Sequence, residues 1–339
     1  MLFEFFLVFV LAMLFMGIVR RYADKIGLVD EPNERSSHTL DTPSGAGIGF
    51  SLAIFSIIPL FYIDVFSDYT LIFFAIFLVF VIGVLDDIHD ASPKTKFVIL
   101  ILSTIFLIFD NFIIDYVGVY FGQQIYLGVF AAPFTIFAVV AFTNALNLID
   151  GLDGLAGSVG IVIFMSFFII GYQNDDLILM VISGSFISGL IAFLIHNWYP
   201  ASIFMGDSGS LVLGFVIALL AIRSLLYIPA ISILFIAAIP ILDTTIVVVR
   251  RKLNGKGVFT ADKCHLHHIF YRFFSNDTKK TVLFFVVMQA AYSLTGLQFN
   301  KYHDDGLLLI LFLLNVIMVY LFTDAMIRRQ KSNCSQKRS

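Results

Sequence analysis

The chain has 339 residues, 59% of them hydrophobic and 13% charged, with 39 Phe and a formal net charge of −3. Soluble domains average about 25% charged residues, so the composition excludes a soluble globular protein and implies an all-α polytopic membrane protein. The small net charge says little about partners, and no nucleic-acid partner is expected.

The first apolar run covers about 2–19 and ends at Arg20-Arg21, with Glu4 and no Lys or Arg before it. That flank order is the reverse of a secretory signal and predicts an uncleaved first span with the N-terminus outside. A polar loop follows, Pro32-Asn33-Glu34-Arg35-Ser36-Ser37-His38, and then Thr42-Pro43-Ser44-Gly45-Ala46-Gly47-Ile48-Gly49. Arg35 and His38 are candidate anion contacts. The glycines allow close approach of a ligand or another helix, although a Gly-rich helix entry is more often a packing feature. The second and third runs cover about 46–63 and 69–85. The third ends at Asp86-Asp87-Ile-His89-Asp90, with Lys94 and Lys96 just beyond. Adjacent carboxylates at a membrane boundary repel each other. A metal, another cation or a proton-transfer role makes them tolerable, and Lys96 offers a point charge for a phosphate.

A shorter fourth run, 97–109, precedes Tyr116-Val-Gly-Val-Tyr, Gly122-Gln-Gln and Ile125-Tyr-Leu, the pattern of a small external β-hairpin over 116–127. The fifth run, 128–148, ends in the densest polar pattern of the chain: Asn144, Asn147, Asp150 and Asp153, with Gly151 and Gly154. Residues three apart are neighbours on a helix. The four together do not share one face, because a step of three drifts around the turn, and the glycines offer the break that lets the last carboxylates turn inward. Polar groups here are costly without work or partners; a polar contact between helices is the blander reading.

Runs six and seven, 155–172 and 177–195, lead to His196-Asn197-Trp198-Tyr199-Pro200. Gly206-Asp207-Ser208-Gly209-Ser210 then opens a short eighth run, 209–222. Asp207 suits metal or phosphate chemistry, or caps the helix as its blander role. After the ninth run, 227–248, a long basic loop holds Asp262-Lys263-Cys264-His265-Leu266-His267-His268. Three close imidazoles suit phosphate oxygens. Zinc is the weaker reading, because Cys264 has no partner thiol. Runs ten and eleven, 281–298 and 306–323, complete a single membrane domain over 1–327, with a basic tail at 328–339 and no sequence repeat.

Eleven spans with the N-terminus outside put every Lys and Arg except Arg223 and Lys301 on inside segments, and the C-terminus in the cytoplasm. The same topology collects every polar cluster at the cytoplasmic face. Both cysteines, Cys264 and Cys334, fall there too, so no disulfide framework is expected. Carboxylates suit a hard metal such as Mg²⁺; basic and imidazole groups suit phosphates. A lipid phosphate meeting a soluble nucleotide fits that combination.

Four ordered motifs carry a resemblance: Asp86-Asp87, Asn-x-x-Asn-x-x-Asp-Gly-x-Asp-Gly over 144–154, Gly-Asp-Ser-Gly-Ser over 206–210 and Asp-x-x-His-x-His-His over 262–268. Together they resemble the polyprenyl-phosphate N-acetylhexosamine-1-phosphate transferase family across roughly residues 30 to 270. The family consists of ten- or eleven-helix bundles of the bacterial cytoplasmic membrane. The resemblance implies that a UDP-N-acetyl sugar gives its sugar-1-phosphate to undecaprenyl phosphate, releasing UMP, as the first membrane step of a cell-envelope polysaccharide pathway. Carried over by motif, Asn147 and Asp207 match the Mg²⁺ ligands, with Mn²⁺ a substitute. Asp153 matches the position that meets uracil. Asp86, Asp87 and Lys96 match the region handling the lipid phosphate, and His265, His267 and His268 the loop meeting the diphosphate. Asn144 and Asp150 fall beside the metal, Asp150 grouped with Asp86 and Asp87 as catalytic. His-Leu-His-His is the pattern of the GlcNAc-1-phosphate branch rather than of the UDP-MurNAc-pentapeptide branch. Lys263-Cys264 and Ser44-Gly-Ala-Gly depart from the more usual residues and bear on the choice of sugar, so another UDP-N-acetyl sugar is the alternative donor. A homodimer follows only by analogy with the family.

The expected chemistry is attack of the lipid phosphate on the β-phosphorus with loss of UMP. A phosphate monoester has a second pKa of about 6, so no strong base is demanded. Asp86 positions the acceptor or takes its last proton. A covalent aspartyl intermediate is the alternative, and single displacement predicts no UMP burst without lipid. Two other classes make different expectations. A cation-coupled transporter places charges at mid-bilayer within repeats, and a zinc hydrolase holds zinc tightly at the His cluster.

Overall fold

The computed structural model describes residues 1–30, 41–255, 257, 265–299 and 305–336, with side chains through 329. Helix α1 (Leu2–Ile26) leads through a short antiparallel pair, β1 (Val29–Asp30) with β2 (Thr42–Pro43), into α2 (Ala46–Phe61). Then come α3 (Ile63–Asp68), α4 (Thr70–His89) and α5 (Pro93–Phe109). Strands β3 (Tyr116–Tyr120) and β4 (Gln123–Tyr126) pair antiparallel. The centre is α6 (Ala131–Ile149), α7 (Leu155–Gln173), α8 (Leu177–Asn197) and α9 (Asp207–Ser224). The chain closes with α10 (Ala230–Ile236), α11 (Ala238–Leu253), α12 (Leu266–Phe273), α13 (Thr278–Gln298) and α14 (Asp305–Gln336).

Among the described residues, eight helices are long and apolar enough to cross a membrane, or nine if the bent pair α10 and α11 is one crossing. The protein is therefore a multi-pass membrane protein. The eleven apolar runs of the sequence all become helical, but not all become long spans. Helices α2 and α5 have 16 and 17 residues, short of the roughly 20 that a hydrocarbon core needs. The run 46–63 is cut at Tyr62, whose φ of −128° and ψ of 50° leave the helix. Helix α14 runs unbroken from Asp305 to Gln336, so its backbone crosses the boundary at 327 expected between domain and tail.

Helix α9 is the axis of the bundle, although its apolar run is among the weakest. It packs against α2, α4, α6 and α7, and nearly all of its side chains are buried. Lipid offers helices no hydrophobic drive to associate, so close backbone packing through small residues takes over. A Cβ on Gly47 of α2 would lie 2.0 Å from the Gly209 nitrogen, and one on Gly83 of α4 would lie 2.6 Å from the Asp207 carbonyl oxygen. At the far end of α9 a polar latch closes the bundle. Buried Asp176 accepts from Arg223 Nε at 2.6 Å and from the Tyr227 hydroxyl at 2.8 Å.

The ninth run is not one straight span. It breaks by 88° between α10 and α11, where Ala237 has φ −115° and ψ 34°. A break inside a membrane leaves backbone groups unpaired unless a side chain takes them. Gln289 of α13, fully buried, does so: Nε2 donates to the Ile236 carbonyl at 2.7 Å, and Oε1 accepts the Ile239 N–H at 3.1 Å. Gln289→Leu is expected to cost about 2–4 kcal/mol, because the buried Ile239 N–H loses its partner and the Ile236 carbonyl keeps only the longer bond from the Ser293 hydroxyl at 3.3 Å. Thermal unfolding in detergent measures this; an unchanged midpoint would show that the break holds without Gln289.

Candidate active site

The polar runs of the sequence meet at one end of the bundle, where α4 and α6 finish and α5 and α9 begin. The start of α5 is set by Ser92, whose hydroxyl accepts the Thr95 N–H at 3.2 Å, with Pro93 in the first turn. That places Lys96 between two carboxylates. Its Nζ donates to Asp86 Oδ2 at 2.8 Å and to Asp207 Oδ2 at 2.7 Å. The other oxygen of Asp207 accepts from Asn147 Nδ2 at 2.9 Å, and the same amide donates to Ser210 Oγ at 2.8 Å. With its NH₂ engaged twice, Asn147 has its carbonyl oxygen left for another partner. Oδ1 of Asp86 is buried and has no hydrogen-bond partner.

Asp86 and Asp87, paired in the sequence reading as catalytic, separate in the structure. Successive residues of a helix do not face the same way. Asp87 turns to the start of α9, where Oδ1 accepts the Asp207 N–H at 2.6 Å and Oδ2 the Ser208 N–H at 3.1 Å. It satisfies two of the N–H groups that a helix start leaves open and so orients Asp207. Asp87 caps the start of α9, and of the two carboxylates only Asp86 meets Lys96.

The loop between α6 and α7 carries the two later carboxylates. Asp150 lies just past the end of α6 and is pushed up to about 7, by burial first and then by the charges of Asp207, Asp153 and Asp87. Asp153 is half-buried and accepts the Ala201 N–H at 2.9 Å, which joins this loop to the segment before α9. Buried Asn197 makes a second tie, accepting the Gly154 N–H at 2.8 Å and donating to the Ile203 carbonyl at 2.9 Å. Asn144, one turn before Asn147, is half-buried on α6 and is not among the hydrogen-bond partners of Asp207.

The imidazole motif forms the start of α12, an amphipathic helix where the sequence suggests only a loop. His265 and His267 are buried and His268 is half-buried. The rings of His265 and His267 stack at 5.6 Å, and those of His267 and His268 lie 4.2 Å apart. A Cβ on Gly151 would lie 2.6 Å from His267 Nε2, so this ring rests on the backbone of the α6–α7 loop. Burial first, then the neighbouring imidazoles, push His267 down to about 3 against the opposing pull of Asp243. It is therefore a neutral ring at neutral pH in this arrangement and docks the motif onto residue 151. His265 Nδ1 lies 2.6 Å from Asp243 Oδ2, and the other oxygen of Asp243 accepts the Leu266 N–H.

An apolar cavity of about 700 Å³ runs from the β3–β4 hairpin along α6, α9, α10 and α11. Its walls include Phe137, Ala145, Leu234, Thr244 and Thr245. Ala145 lies on α6, the helix that carries Asn147, and Thr244 follows Asp243 on α11.

Arg35 and His38 lie outside the described residues, as do Lys263 and Cys264. The flanks of the 31–40 stretch are anchored next to Asp207. Val29 pairs with Pro43, and the Ala46 and Gly47 N–H groups donate to the Phe204 and Met205 carbonyls at 2.9 Å each. Sequence reasoning missed Asp243, Asn197 and Ser210 as site residues. Asp243 had one available signal, an acid inside an apolar run. Ser210 stands inside the Gly-Asp-Ser-Gly-Ser motif and Asn197 inside the polar stretch 196–200, with no role assigned to either at the site. Among the described residues, no three His, Cys, Asp or Glu side chains form a preassembled metal cluster.

A sequence profile described as glycosyl transferase family 4 matches residues 69–225. The chain is 31% identical over 256 residues to a Bacillus subtilis (strain 168) protein, covering 74% of this chain and 72% of that one. That protein carries the name "Probable undecaprenyl-phosphate N-acetylglucosaminyl 1-phosphate transferase". This chain is 30% identical over 327 residues to the undecaprenyl-phosphate alpha-N-acetylglucosaminyl 1-phosphate transferase of Salmonella typhi, covering 92% of this chain and 88% of that one. The Escherichia coli (strain K12) protein of the same name is 28% identical over 321 residues, covering 91% and 86%.

Proposed function

Because this chain belongs to glycosyl transferase family 4, in the undecaprenyl-phosphate N-acetylglucosaminyl 1-phosphate transferase branch, we propose that it moves GlcNAc-1-phosphate from UDP-GlcNAc to undecaprenyl phosphate and releases UMP. The observation that carries this reading is the convergence of Asp86, Lys96, Asn147 and Asp207 at one end of the bundle. A polyprenyl chain suits the apolar cavity, whose wall includes Ala145 of the helix that carries Asn147. The topology that fits is eleven crossings, counting α2 and α5, with the N-terminus outside. The site then faces the cytoplasm of a bacterial inner membrane. A homodimer is part of the proposal by analogy alone.

Mg²⁺ fits the residues present. The donors are hard oxygens: the Asp207 carboxylate, the Asn147 carbonyl left over from its two N–H bonds, and the unpartnered Asp86 Oδ1. When bound it would neutralise charge on the transferring phosphates; Mn²⁺ has the same preference for oxygen. Lys96 holds Asp86 and Asp207 together and is a point charge for the acceptor phosphate. Asp86 orients that phosphate, which needs little deprotonation. Asp153 and Asn197 fix the α6–α7 loop against which the donor is held, and Asp150 lies on that loop near Asp207. The imidazole motif, docked on that same loop through His267, closes the donor side.

UMP release by purified protein with Mg²⁺ and undecaprenyl phosphate tests the proposal across UDP-GlcNAc, UDP-GalNAc, a deoxy-N-acetyl sugar nucleotide and UDP-MurNAc-pentapeptide. Lipid-dependent UMP from UDP-GlcNAc alone is expected. Lipid-dependent UMP from a different donor would replace the sugar and keep the reaction. A folded sample that gives no lipid-dependent UMP with any donor would sink the transferase reading.

A further inference from the structure

Asp243 lies in a setting that no motif describes. It is 1% exposed, on the turn of α11 that follows the 88° break, within a mainly apolar helix. A buried carboxylate needs partners for both oxygens. One accepts the Leu266 N–H, and the other meets His265 Nδ1 at 2.6 Å. Neither contact involves the Asp86–Lys96–Asp207 cluster. The adjacent Thr244 and Thr245 line the apolar cavity, so one turn of α11 faces the cavity on one side and the imidazole motif on the other.

We infer that Asp243 is the positioning residue of the imidazole motif: it fixes the orientation of His265 and keeps the ring proton on Nδ1, leaving Nε2 as the atom offered to the donor's diphosphate. The backbone N–H of Leu266 can only donate, so it claims one Asp243 oxygen. The second oxygen is then an acceptor that selects the Nδ1–H form of the ring. A carboxylate behind an imidazole also balances its charge when Nε2 is protonated against a phosphate. The role at the diphosphate rests on the transferase reading, whereas the hydrogen-bonding state of His265 does not.

Asp243→Asn makes the distinction. Its amide oxygen must turn to the Leu266 N–H, so the NH₂ faces Nδ1, and the ring proton has to move to Nε2. ¹⁵N NMR of histidine-labelled protein, with His265→Gln identifying the signal, should show a protonated Nδ1 in the wild type and an unprotonated one in Asp243→Asn. An unprotonated Nδ1 in the wild type overturns the inference whatever the reaction is. In the transfer assay, Asp243→Asn should raise the KM for the UDP-sugar about 10- to 100-fold, the range for losing a hydrogen bond to a charged group, and leave the KM for undecaprenyl phosphate unchanged. A purely structural role would lower activity without that split. The double variant Asp243→Asn/His265→Gln should lose no more than His265→Gln alone; additive losses would mean that Asp243 does not act through His265. If the wild type releases no UMP, the transferase reading fails, while the NMR result still decides the orientation of His265.

Discussion

Asp207→Ala is expected to lower kcat/KM for lipid-dependent UMP release by about 10²–10³-fold or more while the bundle stays folded. Asp207 is the hub of the cluster. One oxygen takes Lys96 at 2.7 Å and the other takes Asn147 at 2.9 Å. Removing the side chain leaves Lys96 held by Asp86 alone and the Asn147 amide held by Ser210 alone. The backbone N–H of residue 207 still reaches Asp87, because that bond does not use the side chain. Start-to-finish helix α9 should therefore survive, and thermal unfolding should move little. Activity within tenfold of wild type would mean that the reacting phosphates are handled elsewhere. A collapse of the unfolding midpoint would instead make Asp207 a fold residue.

The second large effect separates two neighbours that read alike in the sequence. Asp87→Ala is expected to cost about 2–4 kcal/mol of stability, since it strips acceptors from two N–H groups at the buried start of α9. Activity should fall with it, because α9 carries Asp207. Asp87→Asn keeps one acceptor oxygen and should recover part of both losses. Asp86→Asn should behave in the opposite way. It removes half of the negative charge on Lys96 but leaves the cap intact, so unfolding should shift by less than about 1 kcal/mol. UMP release should still drop by about 10²-fold or more. Equal stability losses in Asp86→Asn and Asp87→Ala would contradict the division of labour between them.

Much of this division is invisible in sequence for a definite reason. Asp86 and Asp87 are adjacent, of the same type and in the same motif, and only the direction of α4 relative to α9 tells them apart. The broken crossing is a similar case. Residues 227–248 read as one apolar run, because hydropathy counts side chains and not backbone bonds. The break persists because Gln289, more than forty residues later, takes the two backbone groups left open there. The imidazole motif reads as three equivalent phosphate contacts. In the folded chain His267 lies against Gly151 and stays neutral, and His265 is held by Asp243.

Local composition by itself determined that the protein crosses a membrane, roughly where its helices lie, and which residue types could do phosphate chemistry. Those properties follow from the transfer free energy of short segments and from the sparseness of charge in an apolar chain, so they need no knowledge of neighbours. Tertiary structure alone decided that α9, a weakly apolar run, is the buried axis, and that Lys96 bridges two carboxylates more than one hundred residues apart. It also decided that Asp87 serves as a cap and that Asp243 stands behind His265. These choices depend on which side chains converge when helices pack, and hydrogen bonds between distant segments select among arrangements that the local pattern leaves equivalent.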